Sequence, residues 1–160
     1  MYVDDFNGDG KNGIISVIDA HGYGLSWFEQ TADGWVEHPI LTEEAATSAG
    51  GLLIAQMHGV AFVDVDGDGI KDLITGKRFW AHAPGPNGKG GDPGVNDPAL
   101  LFWLKITRVG GKVIFTPMTV HSDSGVGVML PSGDVNGDGF PDFLTASKRG
   151  TFIHVQKRTP

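Results

Sequence analysis

The sequence DVDGDGIKDL, from Asp64 to Leu73, places acidic side chains at positions 1, 3, 5 and 9 around two glycines. So many carboxylates in one short segment repel one another unless solvent separates them or a cation neutralises them. Loops that bind calcium draw oxygen ligands from alternate positions and turn sharply at a glycine. The spacing therefore predicts a bound hard cation, and the alternative is an Asp/Gly-rich turn with solvated carboxylates.

Each ligand position of this loop has an oxygen available. The side-chain candidates are Asp64, Asp66, Asp68 and Asp72. Position 7 offers the backbone carbonyl of Ile70, and Gly69 permits the positive φ that lets the chain double back. An EF-hand is not indicated, because Thr75 stands at position 12, where that motif has a bidentate Glu, and the flanking segments read as strands.

The same pattern occurs three times, at intervals of roughly 60 and 70 residues. Internal repetition of this kind is typical of propellers and other repeat arrays. In the third loop, DVNGDGFPDF, the candidate ligands are Asp134, Asn136, Asp138, Asp142 and the carbonyl of Phe140. In the first loop, DFNGDGKNGI, they are Asp5, Asn7, Asp9 and the carbonyl of Lys11. Because Gly13 replaces the closing carboxylate of the first loop, we predict two firm calcium sites and one weak site.

The composition limits the remaining function classes. The formal charge is −7, from 19 acidic and 12 basic residues, and three bound dications would nearly neutralise it. No basic stripe indicates a nucleic-acid partner, and no run of about 18 apolar residues indicates a membrane span. The segment before the first loop does not read as a signal peptide. The absence of cysteine excludes a disulfide scaffold.

The segments around the loops predict an all-β fold built from four-stranded antiparallel propeller blades. Blade one covers residues 1–41, a connector follows at 42–56, blade two covers 57–120, and an incomplete blade three covers 121–160. Strands are expected at 72–80 and 125–135 among others, and residues 108–111 form a hairpin turn. Trp27 and Trp103 hold equivalent positions in the third strands, where we expect them to pack between blades.

The second and third loops resemble the FG-GAP or VCBS repeats of integrin-type β-propellers. The resemblance implies calcium between the first and second strands of each blade, bound through positions 1, 3, 5 and 9, and an exported protein that is extracellular or periplasmic. Such propellers usually close a ring of about seven blades. We therefore expect the rest of a longer protein, or further copies of this chain, to complete the ring.

The resemblance also sorts the remaining polar residues between two faces. Calcium loops lie on one face, whereas connections between strands two and three, and from one blade to the next, lie on the other. This rule places there Gln56, His58, His82, Asp92, Asp97, His121, Asp123 and Ser124. Convergent polar groups in a concavity are the usual candidates for a site. His21, His38 and His154 are interpreted as structural.

Two function classes remain. In the first, the chain is a calcium-stabilised module that binds a carbohydrate or another protein. In the second, it is part of a propeller-type sugar lyase or dehydratase, with a second metal or an acid-base site on the non-calcium face. The candidate ligands or bases would then be His58, His82, His121 and Asp123, with Lys77 or Arg78 stabilising an enolate. We favour the first class, because the sequence contains neither a nucleophile motif nor a zinc-binding HExxH.

Overall fold

The computed structural model describes residues 1–85, 87 and 90–158. Part of the long segment of blade two (86, 88 and 89) and the last two residues of blade three lie outside the described residues. The strands are β1 (Tyr2–Asp4), β2 (Gly13–Val17), β3 (Leu25–Thr31), β4 (Gly34–Leu41), β5 (Met57–Val63), β6 (Asp72–Lys77), β7 (Leu101–Val109), β8 (Lys112–His121), β9 (Ser132–Gly133), β10 (Asp142–Ser147) and β11 (Gly150–His154). A short 3₁₀ segment spans Ala49–Gly51.

The strands form three separate antiparallel sheets, in the orders β1-β2-β3-β4, β5-β6-β7-β8 and β11-β10-β9. Each sheet is open and consists of neighbours along the chain joined by tight turns, which is the arrangement of propeller blades. The predicted all-β class is confirmed. Among the described residues, no helical segment is long and apolar enough to cross a lipid bilayer.

Local sequence explains the shape of the blades. The inner strand β5 alternates buried and partly exposed residues, whereas the outer strand β8 is largely exposed. The turn between β7 and β8 contains Gly110 and Gly111 with φ of 57° and 77°. Positive φ at both central residues is the requirement of the two-residue hairpin turn that matches strand twist, so the predicted hairpin forms.

The hydrophobic core lies between neighbouring sheets. One cluster joins blades one and two, and its largest members include Trp27, Phe102, Leu104 and Ile106. A second cluster joins blades two and three through Val65, Ile74, Val126 and Phe143, and Trp103 packs against it. Burial of the apolar faces between blades drives their stacking. Both predicted tryptophans therefore pack between blades.

Two strands differ from the prediction. The segment predicted as a strand at 125–135 forms only the two-residue β9. Its first part binds the backbone of blade two instead: the amides of Gly125 and Val126 donate to the carbonyls of Ala99 and Lys77. Strand β6 ends at Lys77 rather than at residue 80, because the next amide donates to the carbonyl of Gln56. Both corrections arise from pairing between residues distant in sequence.

Candidate metal centres

The first aspartate of each acidic loop organises the loop backbone. In loop two, Asp64 Oδ1 accepts hydrogen bonds from the amides of Gly67 (2.7 Å) and Asp68 (3.2 Å), and Oδ2 accepts one from Gly69 (2.9 Å). The equivalent bonds of the other loops are accepted by Asp5 and Asp134. Three converging amides fold each loop around its carboxylate, so the turn is set before any cation binds.

The later loop positions repeat this pattern. The position 5 carboxylate accepts a hydrogen bond from the position 7 amide at 2.8 to 3.0 Å. The three donors are Ile70, Phe140 and Lys11. In loop three, the hydrogen bond from the amide of Gly139 is the main cause that holds the pKa of Asp134 below its usual value. The three loops therefore share one backbone geometry, which in loop three favours the ionised form of Asp134.

The closing carboxylate of loop two is fully buried. Asp72 Oδ2 accepts from the amide of Val65 (3.1 Å) and Oδ1 from the amide of Ile106 in the next strand (2.9 Å). Burial raises the pKa of Asp72 to about 6, and the nearby charges of Asp66 and Asp68 act in the same direction. Each oxygen keeps a second lone pair, so a cation can bind the carboxylate without breaking these bonds.

Carboxylates at the centre of loop two lie close enough to share a cation. Ligand oxygens of Asp64, Asp66 and Asp72 all lie within 4.8 Å of one another. The ammonium of Lys105 contacts Asp66 and lies 3.1 Å from Asp68. A lysine thus supplies positive charge beside the carboxylates that a bound cation would share.

Loop three closes in the same manner. Asp142 is fully buried and accepts hydrogen bonds from the amides of Val135 (2.9 Å) and Gln156 (2.8 Å). The side chains of Asn136 and Asp138 are hydrogen-bonded to each other at 2.9 Å. Asp134, Asn136 and Asp138 are thus linked by hydrogen bonds, whereas Asp142 is bonded separately to two backbone amides.

Loop one differs from the other two loops in the surroundings of position 9 as well as in the missing carboxylate. A Cβ added at Gly13 would lie 2.5 Å from Trp27 Nε1, so the indole fills the space that a closing aspartate would need. Glu29 lies beside the loop and accepts a hydrogen bond from Asn7 Nδ2 (2.9 Å), while its other oxygen pairs with His38 (2.8 Å). The environment of Gly13, and not only its identity, separates this loop from the other two.

Substitution of Gly13 by Asp should therefore fail to restore a strong site. Overpacking against Trp27 should destabilise the fold by about 1–3 kcal/mol. Urea denaturation measures this loss, and calcium titration measures the affinity of the loop. A matched control is Gly133→Asp, because Gly133 also lies in a strand and an added Cβ meets nothing within 4 Å among the described residues. A gain of tight calcium binding in Gly13→Asp would contradict this account.

Each of the first two loops is covered by a basic side chain from the following blade. Arg108 Nε donates to the carbonyl of Phe6 in loop one at 2.8 Å. Arg158 Nη2 lies 3.4 Å from the carbonyl of Val65 in loop two. Added Cβ atoms at Gly8 and Gly67 would meet these arginines at 3.2 and 3.0 Å. The blade that follows therefore completes the outer surface of each of these loops.

Loop three lacks such a cover within the described residues. A Cβ at Gly137 would meet nothing within 4 Å there. Phe6 and Val65, at position 2 of loops one and two, are 2% and 6% exposed, whereas Val135 at the same position is 53% exposed. The surface of blade three that corresponds to the buried interfaces of blades one and two is therefore exposed among the described residues.

A group of histidines occupies the opposite end of the blades. The rings of His21 and His82 stack with centroids 4.3 Å apart, and His58 lies edge-on to His21 at 5.1 Å. Asp92 Oδ2 is 2.9 Å from His21 Nδ1, and its Oδ1 is 3.2 Å from His82 Nδ1. Residues from the β2–β3 and β6–β7 connections and from β5 thus meet on the non-calcium face.

The predicted catalytic candidates are divided by the structure. His58 and His82 belong to this group, whereas His121 lies at the end of β8, with its ring 5.6 Å from that of His154 in blade three. Asp123 pairs with Arg149 at 2.7 Å. Among the described residues, His121 has no ring contact with His58 or His82; its ring contacts Phe152 and His154, and β8 is the outer strand of its sheet.

The two basic candidates have different surroundings. Lys77 is buried, its ammonium contacts the carbonyl of Gly94, and burial lowers its pKa. Arg78 Nη1 lies 3.2 Å from His58 Nε2. Only Arg78 is thus directly bonded to the histidine group.

Sequence reasoning interpreted His21 as structural, and it did not include Asp92 among the candidate ligands. The signal for His21 was available, because it lies between strands two and three of blade one, as His82 does in blade two. Because connections between strands two and three lie on the non-calcium face, His21 belonged among the candidates on that face together with His82. His38 and His154 lie in strands β4 and β11.

The architecture and the loops define a β-propeller-like array of repeats. Residues 5–75 match the model of an FG-GAP-like repeat. This span runs from the first acidic loop through the second, and the chain therefore carries an FG-GAP-like repeat. No curated protein matches the chain.

Proposed function

We propose that the chain is a calcium-stabilised β-propeller module that binds a carbohydrate or a protein. The observation that carries this proposal is the prearranged carboxylate geometry of the loops, above all the convergence of Asp64, Asp66 and Asp72 within 4.8 Å. Oxygen ligands in such number suit calcium. Loops two and three would hold it firmly, and loop one weakly.

Ligand binding is assigned to the non-calcium side of blade one. A cavity of about 560 Å³ opens there between the β2–β3 connection and the outer strand. Its lining includes Tyr23, Asp19, Glu37 and Glu43, together with Pro93 from the long segment of blade two. An aromatic ring among hydrogen-bonding carboxylates suits a sugar, which offers both hydroxyl groups and an apolar face.

A glycan array probed with the labelled chain tests this function. Oligosaccharide binding should be present in calcium, reduced by chelator, and lost in Tyr23→Ala. The matched control is Tyr2→Ala, because Tyr2 lies in β1 outside the cavity lining. Binding that survives in Tyr23→Ala would refute the assignment to this cavity. If no oligosaccharide on the array binds but the chain captures a protein in a calcium-dependent manner, the ligand is a protein.

The outer face of blade three is assigned to a further blade, from the rest of a longer propeller or from another copy of the chain. The exposed apolar residues of blade three include Val128, Met129, Val135 and Ile153. Exposed apolar patches and unpaired strand edges promote association. The isolated chain should therefore self-associate, and Val135→Lys with Ile153→Lys should reduce its mass in multi-angle light scattering. A monomer at high concentration would contradict this expectation.

Export is part of the proposal. Calcium sites of modest affinity fill most readily outside cells, where the ion is abundant. We therefore propose an extracellular or periplasmic location, and cell fractionation with an antibody against the chain would test it. Recovery of the protein only from the cytosol would refute this part.

A further inference from the structure

We propose that His21, His82 and Asp92 form a site for one transition-metal ion, of which zinc is the best candidate, at the end of the blades opposite the acidic loops. This site differs from the calcium loops in its ligand chemistry. Imidazole nitrogen suits zinc and related metals, whereas calcium is bound by oxygen. The assignment goes beyond the binding function proposed above.

The ligand atoms already lie near the separations that a shared metal requires. The distances from Asp92 to the Nδ1 atoms of His21 and His82 are 2.9 and 3.2 Å. The potential ligand atoms of the three residues all lie within 4.8 Å of one another. In a tetrahedral site with zinc–ligand bonds of about 2.0–2.1 Å, neighbouring ligand atoms are about 3.3 Å apart. Small side-chain rotations therefore suffice to close the site.

The site is open to solvent on one side. The side chains of His21 and His82 are 39% and 66% exposed, whereas Asp92 is 12% exposed. Three protein ligands with solvent access leave a fourth position for water or an exogenous ligand, as in zinc sites that exchange ligands. The arrangement is therefore not that of a closed structural zinc site.

The backbone around the site is held by a buried glutamine. The amide of Gln56 donates to the carbonyl of Gly22 (3.0 Å), next to His21. The side chain of Gln56 accepts from the amide of Ala81 (3.2 Å) and donates to the carbonyl of Pro93 (2.9 Å). One residue thus connects the neighbours of all three proposed ligands.

Local strain marks the same region. Gln56 and Trp80 have φ of 60° and 52°, a conformation that side chains other than glycine rarely adopt. Such strain persists only where surrounding contacts enforce it, and it concentrates at functional sites. Gln56 is fully buried, and Trp80 directly precedes the segment that carries His82.

His58 is excluded from the proposed ligand set. Its Nε2 faces the guanidinium of Arg78 at 3.2 Å, and its Nδ1 lies 3.3 Å from the carbonyl of Gln56. An arginine can only donate, so Nε2 accepts and Nδ1 carries the proton. Both nitrogens are therefore occupied, and His58 forms the wall of the site.

Zinc titration of the complete chain in excess calcium tests the proposal, because calcium occupies the carboxylate loops. Isothermal calorimetry should detect one zinc per chain, and mass spectrometry of the dialysed protein should recover it. His21→Ala and His82→Ala should each abolish stoichiometric binding. His121→Ala is the matched control, because His121 is an exposed histidine at the end of β8 whose ring contacts His154 and none of the proposed ligands among the described residues, and this variant should bind like the unmodified chain.

Cobalt provides a second readout that does not depend on affinity alone. Bound Co²⁺ should give visible absorption bands of a nitrogen-ligated ion, and these should disappear in His21→Ala. The melting temperatures of the variants in calcium and without zinc should equal that of the unmodified chain, which shows that they fold. Absence of zinc binding in the unmodified chain, or its retention in His21→Ala and His82→Ala, would overturn the proposal.

Discussion

In saturating calcium the chain should unfold at a much higher temperature than in chelator. A ligand present at 1,000 times its dissociation constant and bound only by the folded state stabilises it by about 4 kcal/mol. Two filled loops would therefore contribute about 8 kcal/mol. At about 2–4 °C per kcal/mol for a chain of this size, the melting temperature should rise by roughly 15–30 °C. Scanning calorimetry at several calcium concentrations measures this shift.

Single substitutions should show how much each loop contributes to the rise in melting temperature with calcium. Asp68→Ala should remove most of the contribution of loop two, and Asp138→Ala should remove most of the contribution of loop three. Asp9→Ala is the matched control, because it makes the same change at position 5 of loop one and should hardly alter the calcium response. Calorimetric titration should find two firm sites. Three equal sites would contradict the argument from Gly13, whereas a melting curve unaffected by chelator would show that the loops are only turns.

The acidic loops were predictable from sequence because their geometry is local. The first aspartate of each loop is bonded to amides three, four and five residues later, for example Asp64 to Gly67, Asp68 and Gly69. Such contacts depend on residue type and spacing within one short segment. Strand pairing within blades was predictable for the same reason, since consecutive strands are joined by tight turns.

Features that depend on distant residues were not predictable in the same way. The sequence showed that Gly13 lacks a carboxylate, but not that the indole of Trp27 fills the space. The pairing of His21 with Asp92 joins residues 71 positions apart. The amides of 125 and 126 bind blade two instead of forming a strand. Each of these depends on how blades pack together, which periodicity within one blade does not specify.

Without metal, ionisation of Asp72 should lower the free energy of unfolding as the pH rises, and Asp72→Asn should remove this pH dependence. The pKa of Asp72 is raised from 3.8 to about 6 in the folded state, mainly by burial. The folded state therefore holds this proton more tightly than the unfolded state, so the stability that Asp72 contributes is greatest below about pH 4 and is lost as the pH rises to about 6. The loss amounts to at most about 3 kcal/mol, at 1.36 kcal/mol per pKa unit.

Urea denaturation in chelator at several pH values measures this penalty as a difference between two proteins. At pH 4, Asp72→Asn should be less stable than the unmodified chain, because an amide cannot accept hydrogen bonds from Val65 and Ile106 through both of its terminal atoms. As the pH rises to 7, this deficit should shrink or reverse, since only the unmodified chain must then bury a charge. Asp9→Asn, an exposed site, is the control and should show no such trend.

Calcium should invert this dependence, because the ion binds the ionised carboxylate. Uptake of calcium by loop two must displace the proton of Asp72 below about pH 6, so the affinity should fall by about tenfold for each further pH unit. The buried carboxylate thus destabilises the empty loop at neutral pH and stabilises the filled one. A difference between the unmodified chain and Asp72→Asn that stays constant from pH 4 to 7 in chelator would show that Asp72 is ionised throughout, and would leave its burial without the role in calcium dependence argued here.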